Sequence, residues 1–213
     1  MNAKLKYLTK ERWLWLWRRL GVLVSDKVIE AYNELMEKYA EPHRKYHNAY
    51  HIDSCLEAFE EVRELAINPY TLELAIWYHD AVYNIHASDN EERSALLARE
   101  VMTTLRILPK FIQEVEEIIL ATKHSSVPTG YDAKLMLDID ISNMGKPEAF
   151  KKVNRLVREE YASVAQERSV EGRSNILEVF LARPRIYLSD YFYEKYEAIA
   201  RENISLAISE LNK

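Results

Sequence analysis

An adjacent histidine and aspartate, His79 and Asp80, stand in a largely apolar stretch that runs from Leu72 to Tyr83. Burying an ionised carboxylate is costly unless a cation or hydrogen-bond donors lie beside it. A metal ion would meet this need, because imidazole nitrogen and carboxylate oxygen are both common metal ligands. The pair alone is near chance level, so a metal site is predicted only if other residues supply further ligands.

Further candidate ligands occur on both sides of this pair, and all six histidines lie between positions 43 and 124. His47 and His51 are four residues apart and would share one face of a helix. The chain continues apolar after His51, which favours His51 as the more buried of the two. Asp138 and Asp140 stand inside a later apolar run, where a buried carboxylate needs hydrogen bonds or a cation. At least one of these two aspartates is therefore a candidate ligand.

Two imidazoles and two carboxylates form a mixed set of nitrogen and oxygen ligands. Such a set suits one divalent ion of Mn, Fe, Co or Ni, and fits Zn or Mg less decisively. Four protein ligands leave positions open for a water and for a substrate oxygen. The ion would then polarise a phosphoryl oxygen and lower the pKa of the attacking water.

The elements that must position these residues are helices. Apolar residues recur at intervals of three and four over most of the chain, and no stretch alternates as a strand does. Start and stop signals divide this all-α chain into about nine to ten helices. Three of them carry the candidate ligands: about His47 to Leu65, Pro69 to Tyr83, and Tyr131 to Met144. The second is apolar nearly all round, which predicts a buried central helix.

Other boundaries follow from capping signals and prolines. Ser88 and Glu91 have the spacing of a capping box, which predicts a helix that begins there and runs through Leu105. Amphipathic helices are expected from Pro147 to about Val164 and from about Arg168 to Leu181, and Ser189 is expected to cap the last helix. No linker or repeat is evident, so we expect one domain over residues 1–213, with a metal core at about 44–145 and C-terminal helices at 147–213.

Composition excludes several classes of function. The net charge of −5 gives no electrostatic basis for binding a nucleic acid polymer or an anionic membrane. No apolar run approaches the roughly 18 residues of a membrane-spanning helix. Cys55 is the only cysteine, which excludes an internal disulfide and a zinc site made of thiolates, and favours a cytoplasmic location. The four glycines are too far apart for a phosphate-binding loop.

The order of His51, His79 with Asp80, and Asp140 resembles the pattern of the HD superfamily of metal-dependent phosphohydrolases. Longer local sequences resemble a bacterial subgroup of predicted HD phosphohydrolases, and they are residues 44–52, 75–83, 90–95, 138–145 and 183–187. The resemblance covers nearly the whole chain. It implies an HD-type helical domain with one divalent ion, and His51, His79, Asp80 and Asp140 as its ligands. His47 and Asp138 are the less favoured alternatives.

Further roles are expected for residues near these motifs. Asp80 is expected to polarise the metal-bound water, and Glu92 is a candidate for orienting it. His124 is a candidate for a contact with the phosphate or behind the ligands. Arg44 and Lys123 are cations that could hold a substrate phosphate.

These residues predict a phosphohydrolase for a small phosphorylated molecule, with a nucleotide as the favoured class. One alternative is a cyclic-nucleotide phosphodiesterase, which usually has a larger set of histidine ligands. Another is a non-catalytic metal-binding sensor or interaction module, in which the Trp-rich first helix and the Tyr-rich tail form an interface. A homo-oligomer is compatible with either class.

Overall fold

The structure is a computed structural model that describes residues 4–162 and 166–211, without the side chains of residues 166–171. Within these residues there are ten α-helices and no strand, which confirms the predicted all-α class. The helices are α1 Lys10–Arg19, α2 Asp26–Tyr39, α3 Ala49–Val62, α4 Pro69–Tyr78, α5 Asn90–Thr104, α6 Pro109–Ala121, α7 Tyr131–Asp140, α8 Pro147–Glu160, α9 Gln166–Ala182 and α10 Asp190–Leu211. Short 3₁₀ turns follow α3 and α7. The predicted helix end near Val164 lies outside the described residues.

The chain forms two compact units, a first unit of Met1–Met136 and a second unit of Leu137–Lys213. The boundary falls inside α7, nine to ten residues before the division that the sequence suggested between the metal core and the C-terminal helices. The single domain expected from the sequence stays a prediction.

Helix α4 is the buried centre of the first unit. Asn68 caps its start through its side chain, Pro69 occupies its first turn, and every residue from Thr71 to Tyr78 is buried. The helix packs against α3, α5 and α6. The Trp77 ring also packs edge-on against Trp13 of α1, with ring centroids 5.0 Å apart. Helix α4, which is apolar on nearly all sides, is therefore the central helix of the first unit, as predicted from the sequence.

The predicted end of α4 at Tyr83 is wrong, because the helix ends at Tyr78 and the chain turns at His79 and Asp80. The last four helix carbonyls all have partners, as a helix end requires. They are Ala75, bonded to the His79 amide; Ile76, bonded to the His79 ring; Trp77, bonded to the Tyr39 hydroxyl; and Tyr78, bonded to the Ala81 amide.

Two helices begin about two residues later than predicted. Helix α3 begins after His47, because the Asn48 side chain accepts a hydrogen bond from the Tyr50 amide and caps the helix there. Helix α5 begins at Asn90 rather than at Ser88, and its cap residue Asp89 makes no side-chain capping hydrogen bond; the Asn90 side chain accepts from the Asn84 amide and donates to the Asn84 carbonyl. His47 therefore lies outside the helix that carries His51.

In the second unit, α10 packs against α8, α9 and the 3₁₀ turn Ser142–Gly145. A Cβ atom at Gly145 would overlap the Tyr196 side chain, so the close approach of this turn to α10 requires glycine. The segment that leads into α10 is held by Glu197, whose carboxylate accepts from the Ile186 and Tyr187 amides.

Candidate metal centre

Three ligand atoms of the first unit meet at the C-terminal end of α4. His51 Nε2 lies 3.2 Å from His79 Nε2. Asp80 Oδ2 lies 3.3 Å from each of these nitrogens. Metal–ligand bonds of about 2.0–2.2 Å separate neighbouring ligand atoms by about 3.0–3.5 Å. The three atoms therefore form a triangle of the size that a divalent ion requires.

Burial supports a cation at this triangle. The Asp80 Oδ2 atom is shielded from solvent and accepts no hydrogen bond from the described residues. A buried carboxylate oxygen without a donor is costly, and an ion beside it would remove that cost. His51 and His79 are buried, whereas 18% of the Asp80 side chain is exposed. Solvent can therefore reach the site from the side of Asp80.

The ring orientation of His79 favours metal binding. Its Nδ1 atom lies 3.0 Å from the Ile76 carbonyl oxygen, which can only accept a hydrogen bond. The proton is therefore assigned to Nδ1, and the lone pair of Nε2 points toward His51 and Asp80. A backbone carbonyl behind a metal-bound histidine commonly sets the tautomer in this way.

Cys55 is a candidate ligand that the sequence analysis missed. Its Sγ atom lies 3.7 Å from the Nε2 atom of His51, one helical turn earlier on α3. The potential ligand atoms of His51, Cys55 and His79 all lie within 4.8 Å of one another. The four-residue spacing of His51 and Cys55 was the available signal, because residues so spaced share a helix face.

Arg44 connects the segment that leads into α3 to the turn that carries His79 and Asp80. Its side chain is 1% exposed. The guanidinium donates to the carbonyls of His47, Asp80 and Ala81 at 3.1, 2.6 and 2.9 Å, and to the Glu41 carboxylate at 2.8 Å. These four hydrogen bonds use four of the five N–H groups of the guanidinium. The expected contact with a substrate phosphate stays a prediction.

Tyr39 supports the same turn from α2. Its hydroxyl donates to the Trp77 carbonyl at 2.9 Å. Burial raises the pKa of Tyr39 well above its ordinary value, and the negative charge of Asp80 adds to this effect. The hydroxyl therefore stays protonated and remains a donor.

The structure distinguishes the two histidine alternatives by position. The His47 ring stacks on Tyr83, with centroids 4.1 Å apart and an interplanar angle of 23°. Its centroid lies 6.0 Å from that of His51. Of the two histidines, His51 is the one whose Nε2 atom belongs to the triangle with His79 and Asp80.

The two aspartate alternatives also differ. Asp138 is buried in the second unit, where its carboxylate accepts hydrogen bonds from the Leu188 amide and from the amide and hydroxyl of Ser189, at 2.6–2.7 Å. Burial raises the pKa of Asp138 to about 6, although these donors lower it. Asp138 therefore anchors the start of α10. Asp140 is the half-buried last residue of α7, and its role as a ligand stays a prediction.

Three further candidates lie at the ends of α5 and α6. The Lys123 ammonium contacts Glu92 at 2.5 Å and the Ser88 carbonyl at 2.9 Å. The hydrogen bond lowers the pKa of Glu92 and raises that of Lys123. His124 follows α6 in the left-handed region, with φ of 54°. The catalytic roles of Glu92 and His124 and the phosphate contact of Lys123 stay predictions.

Comparisons with protein-family models, curated proteins and solved structures found no match to this chain. Among the described residues, no helix has both the length and the apolar character needed to cross a membrane. The case for a functional site consequently depends on the geometry around His79 and Asp80.

Proposed function

We propose that this protein is a phosphohydrolase that depends on one divalent metal ion. His51, His79 and Asp80 would bind the ion, and Asp140 is the fourth ligand expected from the sequence motif. The main support is the triangle of ligand atoms, in which Asp80 Oδ2 is buried without a hydrogen-bond donor.

The chain would contribute positioning and proton handling. Asp80 is partly exposed, so its carboxylate can accept a hydrogen bond from a water that enters from solvent. Arg44 fixes the backbone on both sides of the ligands. A bound ion would supply the Lewis acidity that lowers the pKa of water and neutralises phosphoryl charge. A small phosphorylated molecule, with a nucleotide as the favoured class, is the proposed substrate.

The test begins with protein stripped of metal and reloaded separately with Mn, Co, Ni, Zn or Mg. Each form is assayed with nucleoside phosphates, cyclic nucleotides and an aryl phosphate. Asp80→Ala and His79→Ala should lower turnover by more than about 100-fold, since even residues behind the ligands are worth 10–100-fold. Glu57→Gln changes an exposed acid of α3 and should leave turnover unchanged.

Full turnover by Asp80→Ala would overturn the proposal. Turnover restricted to cyclic nucleotides would identify a phosphodiesterase instead. Stoichiometric metal with no hydrolysis of any compound would identify the non-catalytic metal-binding module.

A further inference from the structure

We propose that Cys55 is itself a ligand of the ion, so that the site prefers thiophilic divalent metals such as Zn²⁺ and Co²⁺ over Mg²⁺. The ligands within the first unit would then be His51, Cys55, His79 and Asp80. This inference rests on the metal site of the proposed function, but it does not require that the protein hydrolyse anything.

The sulfur lies within reach of a ligand position. Bonds of about 2.3 Å to sulfur and 2.0–2.1 Å to nitrogen place the two atoms about 3.6 Å apart around a tetrahedral ion. Cys55 Sγ lies 3.7 Å from both Nε2 and Nδ1 of His51, so a rotation of the Cys55 side chain toward the Nε2 side would complete the coordination. Both residues are buried on the same face of α3, so the helix keeps the two side chains adjacent.

Charge also favours a thiolate at this position. A divalent ion bound by the Asp80 carboxylate and neutral histidines would leave one positive charge in a largely buried site. Coordination by Cys55 replaces the S–H bond with a sulfur–metal bond and releases the proton to solvent. The centre that the ion forms with His51, Cys55, His79 and Asp80 alone has no net charge and is cheaper to bury, and it does not need the Asp140 carboxylate for neutrality. Zinc can expand to five ligands, which leaves a position for water.

Ligand softness makes the preference specific. Thiolates select Zn²⁺ and similar ions, whereas carboxylates and water suit Mg²⁺ and Mn²⁺. A histidine and carboxylate site without sulfur would show a weaker preference. The metal preference of this protein should therefore depend on Cys55.

Cobalt reports the sulfur ligand directly. Metal-free protein titrated with Co²⁺ should show visible ligand-field bands and a near-ultraviolet band from sulfur-to-cobalt charge transfer. Cys55→Ser should keep the visible bands and lose the charge-transfer band, and its Zn²⁺ affinity should fall by at least about 100-fold. Its Mn²⁺ affinity should not change. Ser54→Ala, an exposed neighbour on α3, is the matched control and should keep both bands.

Zinc-edge X-ray absorption of the unmodified protein tests the same ligand without a substitution. A sulfur neighbour at about 2.3 Å from the zinc would support Cys55 as a ligand. Visible cobalt bands without charge transfer, or a zinc spectrum without sulfur, would overturn the role of Cys55 and leave the metal site intact. Protein that binds neither ion would overturn both. Hydrolysis plays no part in either readout.

Discussion

The guanidinium of Arg44 donates to the backbone carbonyl of Asp80 at 2.6 Å, and thereby ties the segment before α3 to the turn after α4. The first segment leads directly into α3, which carries His51, and the turn carries His79 and Asp80. A single buried side chain therefore helps to set the distance between ligands that are 28 residues apart in sequence.

Arg44→Ala should lower the free energy of unfolding by about 3 kcal/mol, because it leaves buried carbonyls without donors. Urea unfolding measures this loss. Lys45→Ala, at an exposed neighbour, should change it by less than about 0.5 kcal/mol. A raised KM for a phosphorylated substrate with unchanged stability would instead support the phosphate contact predicted from the sequence.

Metal should stabilise the folded chain. At a concentration of about 100 times the dissociation constant, Zn²⁺ or Co²⁺ should raise the free energy of unfolding by about 2.7 kcal/mol. His79→Ala should abolish the increase, whereas His86→Ala, at an exposed loop position, should retain it. Urea titrations with and without metal test this, and an equal increase in both variants would argue against His79 as a ligand.

Asp138 and Asp140 should respond differently to the same substitution. At about pH 5, below the raised pKa of Asp138, Asp138→Asn should destabilise the metal-free protein by about 2 kcal/mol, since the amide presents an NH₂ group where the carboxyl accepts from Leu188 and Ser189. Asp140→Asn should chiefly lower metal affinity. Calorimetric metal titration and urea unfolding of both variants separate the two effects. The assignment is wrong if Asp138→Asn costs more metal affinity than Asp140→Asn.

The raised pKa of Asp138 predicts a pH dependence of stability. The carboxyl titrates near pH 3.8 in the unfolded chain and near pH 6 in the folded one. The folded state therefore holds the proton more tightly, so its stabilisation is complete below pH 3.8 and is lost as pH rises through 6. The change is about 3 kcal/mol. The difference in unfolding free energy between the wild type and Asp138→Asn, measured with a chelator present, should follow this curve. A flat difference would contradict it.

The buried Glu73 should contribute more to stability than its exposed neighbour Glu60. Glu73 is 0% exposed and contacts Arg12 at 2.6 Å and Arg63 at 2.8 Å, which joins α4 to α1 and to the 3₁₀ turn. Glu73→Gln should cost about 2–3 kcal/mol, somewhat below the usual loss for a fully buried pair because both arginines are partly exposed. Glu60→Gln should cost less than about 1 kcal/mol. Thermal unfolding of both variants compares them, and equal losses would show that burial is not decisive.

Local pattern was sufficient to predict the all-α class and the start of α4, because Asn68 and Pro69 act on the backbone next to them. It was not sufficient for the end of α4. Ala81, Val82 and Tyr83 continue the apolar pattern, and the chain nevertheless leaves the helix. The bonds from Tyr39 and Arg44 that hold the turn come from distant parts of the sequence.

The residues of the candidate site likewise include some that could be predicted from the sequence and one that could not. Residue types and the resemblance to the HD pattern put His51, His79 and Asp80 forward as ligands; the structure brings these three together, and their binding of a metal stays a prediction. Cys55 was missed because a cysteine on the apolar face of a helix is ordinarily a core residue. Its distance from His51 Nε2 becomes informative only when the His79 segment is folded against α3.

The turn at His79 has an electrostatic consequence, because α4 points its C-terminal end at the ligands. The aligned peptide dipoles of a helix place about half of an elementary negative charge at that end. This field attracts a cation and repels a phosphate group. Without an ion the site would therefore disfavour a phosphorylated molecule, and loading the metal would reverse the sign of the potential that such a molecule meets.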